Sequence, residues 1–204
     1  MVALVIVSAG MRRSGSTWLF NTLRQLCATQ ADVYSCFSNR YQHANLAPFH
    51  VIKCHDFIHE IKPLAKHVFV SRRDLRDIAA SAVRRGMVLD DPEEIIPFLQ
   101  NEITHFEAWR QFSTLEIPYE EVVDNKLRFT AIIADKLGVQ TDVDRVERQV
   151  AELPIRAHYD RTTKLWPNHV TDGRVGTFQS TLCSKTVTAI NVEFDDWLNS
   201  YGYE

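Results

Sequence analysis

Residues 3–8 (ALVIVS) form an unbroken, β-branched apolar run, the pattern of a parallel strand buried on both faces. A small polar stretch, Gly10 to Ser16, follows, and from Thr17 to Ala28 the apolar positions Leu19, Leu23 and Leu26 recur at helical spacing. The chain therefore opens strand, Gly/Ser loop, helix. Short apolar runs at 50–54 (HVIKC) and 67–71 (HVFVS) predict a second and a third strand, the latter leading through Arg72 and Arg73 into a helix over about 75–86 that ends near Gly86. Residues 92–114 read as helix from Pro92 at a first-turn position, with Pro97 as a candidate break into two pieces. Ile117 to Val122 predicts a fourth strand. Helices follow at about 125–137, closed by Gly138, and at 142–152, closed before Pro154. Residues 154–180 lack periodicity and read as one long loop, and a last helix is expected at 184–199. Strands alternating with helices predict a three-layer α/β fold, a mainly parallel sheet flanked by helices, of the P-loop NTPase-like kind.

The 204 residues, 45% apolar and 24% charged, suit a single domain spanning 1–204 and exclude a disordered or fibrous chain. The apolar run from Met1 to Gly10 is too short to span a bilayer and has no basic residues before it, so neither a membrane segment nor a secretory leader is expected. Cys27, Cys36, Cys54 and Cys183 are widely spaced with no CxxC pair, which points to a reducing cytoplasm rather than a disulfide framework or a cysteine zinc site.

Net charge is −3, but it is unevenly spread. Residues 1–89 hold 12 basic and 5 acidic side chains, whereas residues 90–124 hold one basic and 10 acidic. Arginines outnumber lysines 16 to 7, and five lie between Arg72 and Arg85. Forked guanidinium groups suit compact oxyanions. With no long basic tract, a small anionic ligand is expected rather than nucleic acid.

The segment Gly10-Met11-Arg12-Arg13-Ser14-Gly15-Ser16-Thr17-Trp18 sits between predicted strand and predicted helix, where backbone N–H groups and a helix N-terminus make an anion cradle. Its spacing fits a Walker A loop except that Ser16 stands where the lysine that reaches ATP or GTP phosphates should be. Residues 13–18 resemble the 5′-phosphosulfate loop of PAPS-dependent sulfotransferases, a family of P-loop-like fold in which Arg13 would stand at a lysine position. The resemblance implies that Arg13 holds the bridging oxygen and transferring sulfuryl group, that Ser14, Gly15, Ser16 and Thr17 bind the 5′-phosphate, and that Trp18 stacks near adenine.

A second stretch, Val70 to Ser81, is similar to the family's 3′-phosphate segment, an arginine at a strand end with a serine eight residues on. Arg73 and Ser81 match that spacing; Arg72 competes by adjacency, but its +8 position is Ala80. Arg76, Arg84 and Arg85 read as a solvated basic helix face. Lys53-Cys54-His55 resembles a Lys-Thr-His strand end, which implies His55 as general base and Lys53 as a charge stabiliser at the sulfuryl oxygens. An ordinary histidine titrates near pH 6.5, suited to taking a hydroxyl proton. His55 and His59 at i,i+4 form no HExxH pattern, and no metal is expected. Residues 168–178 are similar to the C-terminal glycine loop that closes over the nucleotide. Gly173 and Gly176 match, Phe178 replaces a tryptophan, and Thr171 and Asp172 stand at cationic positions, with Arg174 or His169 as substitute donors. Glu120, in a Tyr-Glu element at 119–120, is read as structural.

The resemblance implies sulfuryl transfer from PAPS to a hydroxyl or amine of a small-molecule acceptor, releasing PAP. Loops around 32–49, 86–98 and 154–170 would build the acceptor pocket, and the acidic segment 90–124 would favour a cationic acceptor if it flanked that pocket. A small specialised-metabolism enzyme fits the size. A P-loop kinase and a degenerate PAP-binding protein without activity are the alternatives.

Overall fold

The computed structural model describes residues 3–167 and 173–203. Five strands, β1 (Leu4–Gly10), β2 (Val33–Phe37), β3 (Phe49–Cys54), β4 (His67–Arg72) and β5 (Leu115–Pro118), make one sheet in the order β2-β3-β1-β4-β5, with every pairing parallel. The apolar run at the N-terminus is its central strand. Val5 and Val7 enter one core and Ile6 the other, as the two-residue period of a strand dictates.

One face of the sheet is covered by α1 (Ser16–Ala28), α5 (Lys126–Leu137) and α6 (Val143–Ala151), which pack Leu19, Phe20, Leu23, Ile133 and Val146 on Ile6, Val51 and Phe69. The other face carries α2 (Leu75–Arg84), α3 (Pro92–Arg110) and α8 (Ser184–Glu193), with Ile78, Leu99, Trp109 and Ile190 against Val5, Val7, Ile52 and Val70. The remaining helices are short: α4 (Tyr119–Asp124), α7 (Phe178–Thr181) and α9 (Asp195–Ser200). No helix among the described residues is long and apolar enough to cross a membrane.

Four expectations need correction. The strand read as the second is the third, because 33–37 forms an edge strand whose VYSCF pattern lacks the apolar run of its neighbours. Residues 92–110 form one helix despite Pro97, which lies on the exposed side near the helix start, where a carbonyl left without its amide can bond water. The fourth strand stops at Pro118, and Tyr119 and Glu120 begin a helix instead. The last helix is interrupted at Phe194, which leaves helical geometry (φ −117°, ψ 26°) with its side chain buried.

The sheet order places β3 and β4 on opposite flanks of β1, so their crossovers leave in opposite directions. A crevice forms at the carboxyl ends, the usual ligand position of open parallel sheets. Register brings Gly10 opposite Ser71, Ala9 opposite Cys54 and Ser8 opposite Lys53, so three motifs distant in sequence share one edge.

Candidate active site

The loop after β1 is pinned from below. Met11 N–H donates to Ser71 O (3.1 Å), and the Ser14 hydroxyl donates to Met11 O (2.6 Å) while meeting Ser71 Oγ at 2.8 Å. Ser14 is thus a strut, its hydroxyl turned into the protein. A Cβ on Gly10 would lie 2.2 Å from Ser71 Oγ, and Gly15 combines φ +79° with Tyr119 carbons 2.9 Å from a built Cβ, so both glycines are required by close approach. Arg13 itself adopts φ +71°. Helix α1 starts without a side-chain cap, unlike α2, α3 and α6, which use Asp74, Asp91 and Asp142. Its first-turn amides at 16–18 have no side-chain cap and, at a helix start, can serve as anion donors.

They open on a cavity of about 470 Å³. Arg13, Ser16, Thr17, Arg73 and Ser81 line it with donors, and Trp18, Val122, Val150, Leu153 and Leu165 with apolar surface. The size and polarity fit a nucleotide-sized ligand.

Arg73 and Ser81 both line this cavity, as their spacing predicts. Arg72 does not; its guanidinium turns away to Glu116 and the Tyr203 hydroxyl and lies over the Tyr201 ring at 4.2 Å. Arg73 is almost wholly buried and lies 4.1 Å over the Tyr119 ring, 3.2 Å from Asp77, and donates to the carbonyls of Arg13 and Arg174. Its Nε is buried with no hydrogen-bond partner. Arg13 Nε donates to Ser81 Oγ (2.9 Å), drawing the two predicted ligands together. Burial, reinforced by Arg85, Arg73 and Arg84, pushes the Arg13 guanidinium down to about 10. Arg76 corrects the sequence reading: it is buried against Asp74 (2.8 Å) and over Phe178 (4.6 Å), not solvated.

On the far side of β1, Lys53 is 2% exposed and donates to Thr17 Oγ1 (2.6 Å). Burial, with Lys164 and Arg13 nearby, pushes its ammonium down to about 7. His55 Nδ1 lies 2.8 Å from the Gly10 carbonyl. A carbonyl only accepts, so Nδ1 carries the hydrogen and Nε2 keeps the lone pair. Burial and then Lys53 push His55 down to about 3, so that it is neutral at pH 7 but, before a ligand binds, a weaker base than the ordinary histidine expected from the sequence. His59 packs edge-on against Phe57, and among the described residues no three His, Cys, Asp or Glu side chains gather as metal ligands.

Carboxylates of the acidic segment are engaged elsewhere. Glu102 is buried and holds the Arg12 amide and guanidinium, Glu116 pairs with Arg72 and Arg110, and Glu120 accepts from Asp74 N–H (2.8 Å) and the Tyr203 hydroxyl (3.0 Å).

Gly173 lines the cavity beside Tyr119, and the Arg174 carbonyl holds Arg73. Thr171, Asp172 and His169 lie outside the described residues. The segment is anchored by Asp77, fully buried, which accepts from Gly176 N–H (2.8 Å), Thr177 Oγ1 (3.1 Å) and Phe178 N–H (3.1 Å). Sequence reasoning missed Asp77, Tyr119, Asn21 and Lys164. Asp77 sits four residues after Arg73, an i,i+4 spacing that could have been noticed; Asn21 and Lys164 meet only through the tertiary fold.

No family model matches the sequence, and no curated protein is significantly similar to it. Solved structures are. Mouse sulfotransferase SULT7A1 complexed with PAP superposes with a TM-score of 0.71 at 13% identity, covering 98% of this chain and 85% of the other. Retinol dehydratase matches in its complex with retinol and PAP (TM-score 0.62, 13% identity) and in that with androsterone and inactive cofactor PAP (0.64, 12%), each covering 95% of this chain and 80% of the other. The fold is the sulfotransferase fold. All three neighbours share it over nearly the whole of this chain.

Proposed function

We propose that the protein transfers a sulfuryl group from PAPS to a hydroxyl or amine of a small-molecule acceptor. The observation that carries this reading is that one cavity is lined both by the uncapped start of α1 and by Arg13, Arg73 and Ser81. A nucleotide with phosphates on both 3′ and 5′ positions needs two such sets of donors. The neighbours of this fold were solved with PAP, and retinol and androsterone are small molecules, in keeping with the reading.

Loop amides 15–18 and Thr17 would hold the 5′-phosphate, Arg73 and Ser81 the 3′-phosphate, and Trp18 with Val150 and Leu153 the base. His55 Nε2 takes the acceptor proton as the acceptor oxygen or nitrogen bonds to sulfur and the bond from sulfur to the bridging phosphate oxygen breaks; PAP leaves with that electron pair. Catalysis then rests on positioning and fixed positive charge. The kinase alternative keeps one argument: Lys53 reaches Thr17 from the neighbouring strand, where a Walker lysine would reach from the loop.

Calorimetric titration of the purified protein without metal distinguishes them. PAP binding at least about tenfold tighter than ADP is expected, from the charge-assisted bonds to a 3′-phosphate. Preference for ATP with magnesium, or no PAP binding, overturns the reading.

A further inference from the structure

Lys164 lies in the segment that the sequence offers only as loop, yet its surroundings are built. A turn over 160–165 is closed by Asp160 N–H to Leu165 O (2.8 Å) and Lys164 N–H to Asp160 O (2.9 Å), and the Asp160 carboxylate caps the amides of Thr162 (2.7 Å) and Thr163 (3.1 Å). Asn21, buried on α1, ties the turn to the phosphate loop by donating to both Thr163 O (2.8 Å) and Thr17 O (2.9 Å). The turn holds Lys164 at φ +60°, a conformation that disfavours any side chain and suits glycine or asparagine. A lysine retained there at that conformational cost calls for a use of its side chain.

The side chain is 6% exposed and runs inward, where its Nζ lies 5.9 Å from the Phe20 ring centre and 5.5 Å from that of Phe37. Lys53 Nζ lies over the same two rings at 6.0 and 5.7 Å. Phe37 also neighbours His55, with ring centres 6.2 Å apart. Two buried ammonium groups thus share one aromatic floor beside the candidate base. Among the described residues neither has a carboxylate within ion-pair distance: Lys53 has the Thr17 hydroxyl, and Lys164 has the Arg161 carbonyl. The nearest carboxylate of the turn, Asp160, is bound to Arg156 and the Thr162 and Thr163 amides. Arg13 meanwhile turns to Ser81. Buried like charges without a counter-ion are unfavourable, and an oxyanion seated between them relieves the repulsion.

We propose that Lys164 and Lys53 together form a two-ammonium seat for the transferring sulfuryl group, Lys164 being a catalytic cation supplied by the 160–165 turn. This rests on the sulfuryl-transfer reading and adds to it a residue outside the resembling motifs. The seat binds the sulfuryl oxygens and not the nucleotide phosphates, so the donor should lose affinity when Lys164 is removed while the desulfated product does not.

The test compares PAPS and PAP binding by calorimetry, which needs no acceptor. In Lys164→Met the ratio of the PAPS to the PAP dissociation constant should rise about tenfold or more over wild type, with PAP binding changed less than about twofold. Lys164→Gly should show the same ratio while keeping or raising the thermal midpoint, since glycine relieves the backbone at this position. Parallel loss of PAP and PAPS binding in both variants, or an unchanged ratio, overturns the proposal. Wild-type protein that binds neither nucleotide overturns the parent reading instead.

Discussion

Arg73 and Lys53 occupy equivalent places, each at or just past the carboxyl end of a strand beside β1 and each 2% exposed, yet their surroundings are opposite. Around Arg73 stand Asp77, two carbonyls and an aromatic face. Around Lys53 stand one hydroxyl, two rings and further cations, and its ammonium is driven down to about 7. The end of the site assigned to nucleotide phosphate is therefore compensated by the protein itself and folds as a finished structure. The end assigned to transfer is electrostatically incomplete and is to be completed by an anion. A cation kept rigid suits binding; one held at an unfavourable charge balance suits a group that arrives, reacts and leaves.

The sharpest contrast is between loss of rate and loss of binding. His55→Ala should lower sulfuryl transfer by about 10²–10⁴-fold, the usual contribution of a general base. It should leave the PAP dissociation constant within about twofold, because its bond to the loop, to the Gly10 carbonyl, involves none of the groups assigned to phosphate. Steady-state assays beside calorimetry check this, and equal loss of both would remove His55 from the general-base role.

Next in size is Asp77, which carries the compensation at the other end. Asp77→Ala strands the Arg73 guanidinium and frees the 176–178 segment, so unfolding stability should fall by about 3–5 kcal/mol, as for breaking one side of a buried pair. Asp77→Asn, which keeps an acceptor for those hydrogen bonds, should fall less. Denaturant midpoints decide; a loss below about 1 kcal/mol in Asp77→Ala would mean that Arg73 is not compensated as described.

This asymmetry also explains what was legible in the chain. The compensated end is encoded in two local stretches: a strand, a glycine loop and a helix, then Arg73 and Ser81 eight residues apart, just past β4 and on α2, and both line one cavity. Ser14 was readable as a loop residue but not as a strut, since its partner Ser71 lies 57 residues away. The transfer end depends on the edge strand at 33–37, whose Phe37 supplies the shared floor, and on the 160–165 turn. Neither has periodicity, and each is placed at the site by bonds to distant segments, such as Asn21 to Thr163 O. Arg76 shows the same limit in reverse: a charge on a helix that looks solvated is buried because Asp74, two residues earlier, caps the helix and pairs with it.

The smallest expected effect probes the incomplete end with no ligand present. Unfolded, Lys53 holds its proton to about pH 10.5; folded, it releases it from about 7. Between pH 7 and about 8.5 the unfolded state therefore binds more protons, and stability should rise with pH, by at most about 1.4 kcal/mol per unit for one proton. Lys164, lowered by burial, acts in the same direction. Unfolded His55, titrating near 6.5 against about 3 when folded, adds to the rise at the foot of the window in wild type and variant alike, and Arg13, pushed to about 10, begins to titrate above it. The thiols of Cys27, Cys36 and Cys54, all pushed up by burial, oppose the rise toward the top of the window, where the unfolded thiols begin to ionise. In Lys53→Met the rise should flatten, while in Asp77→Asn it should persist, because that substitution leaves the transfer end intact. Urea midpoints measured across the window read both slopes. A rise of equal steepness in wild type and Lys53→Met would mean that Lys53 is as well compensated as Arg73, and the division of the site into a finished and an unfinished end would fail.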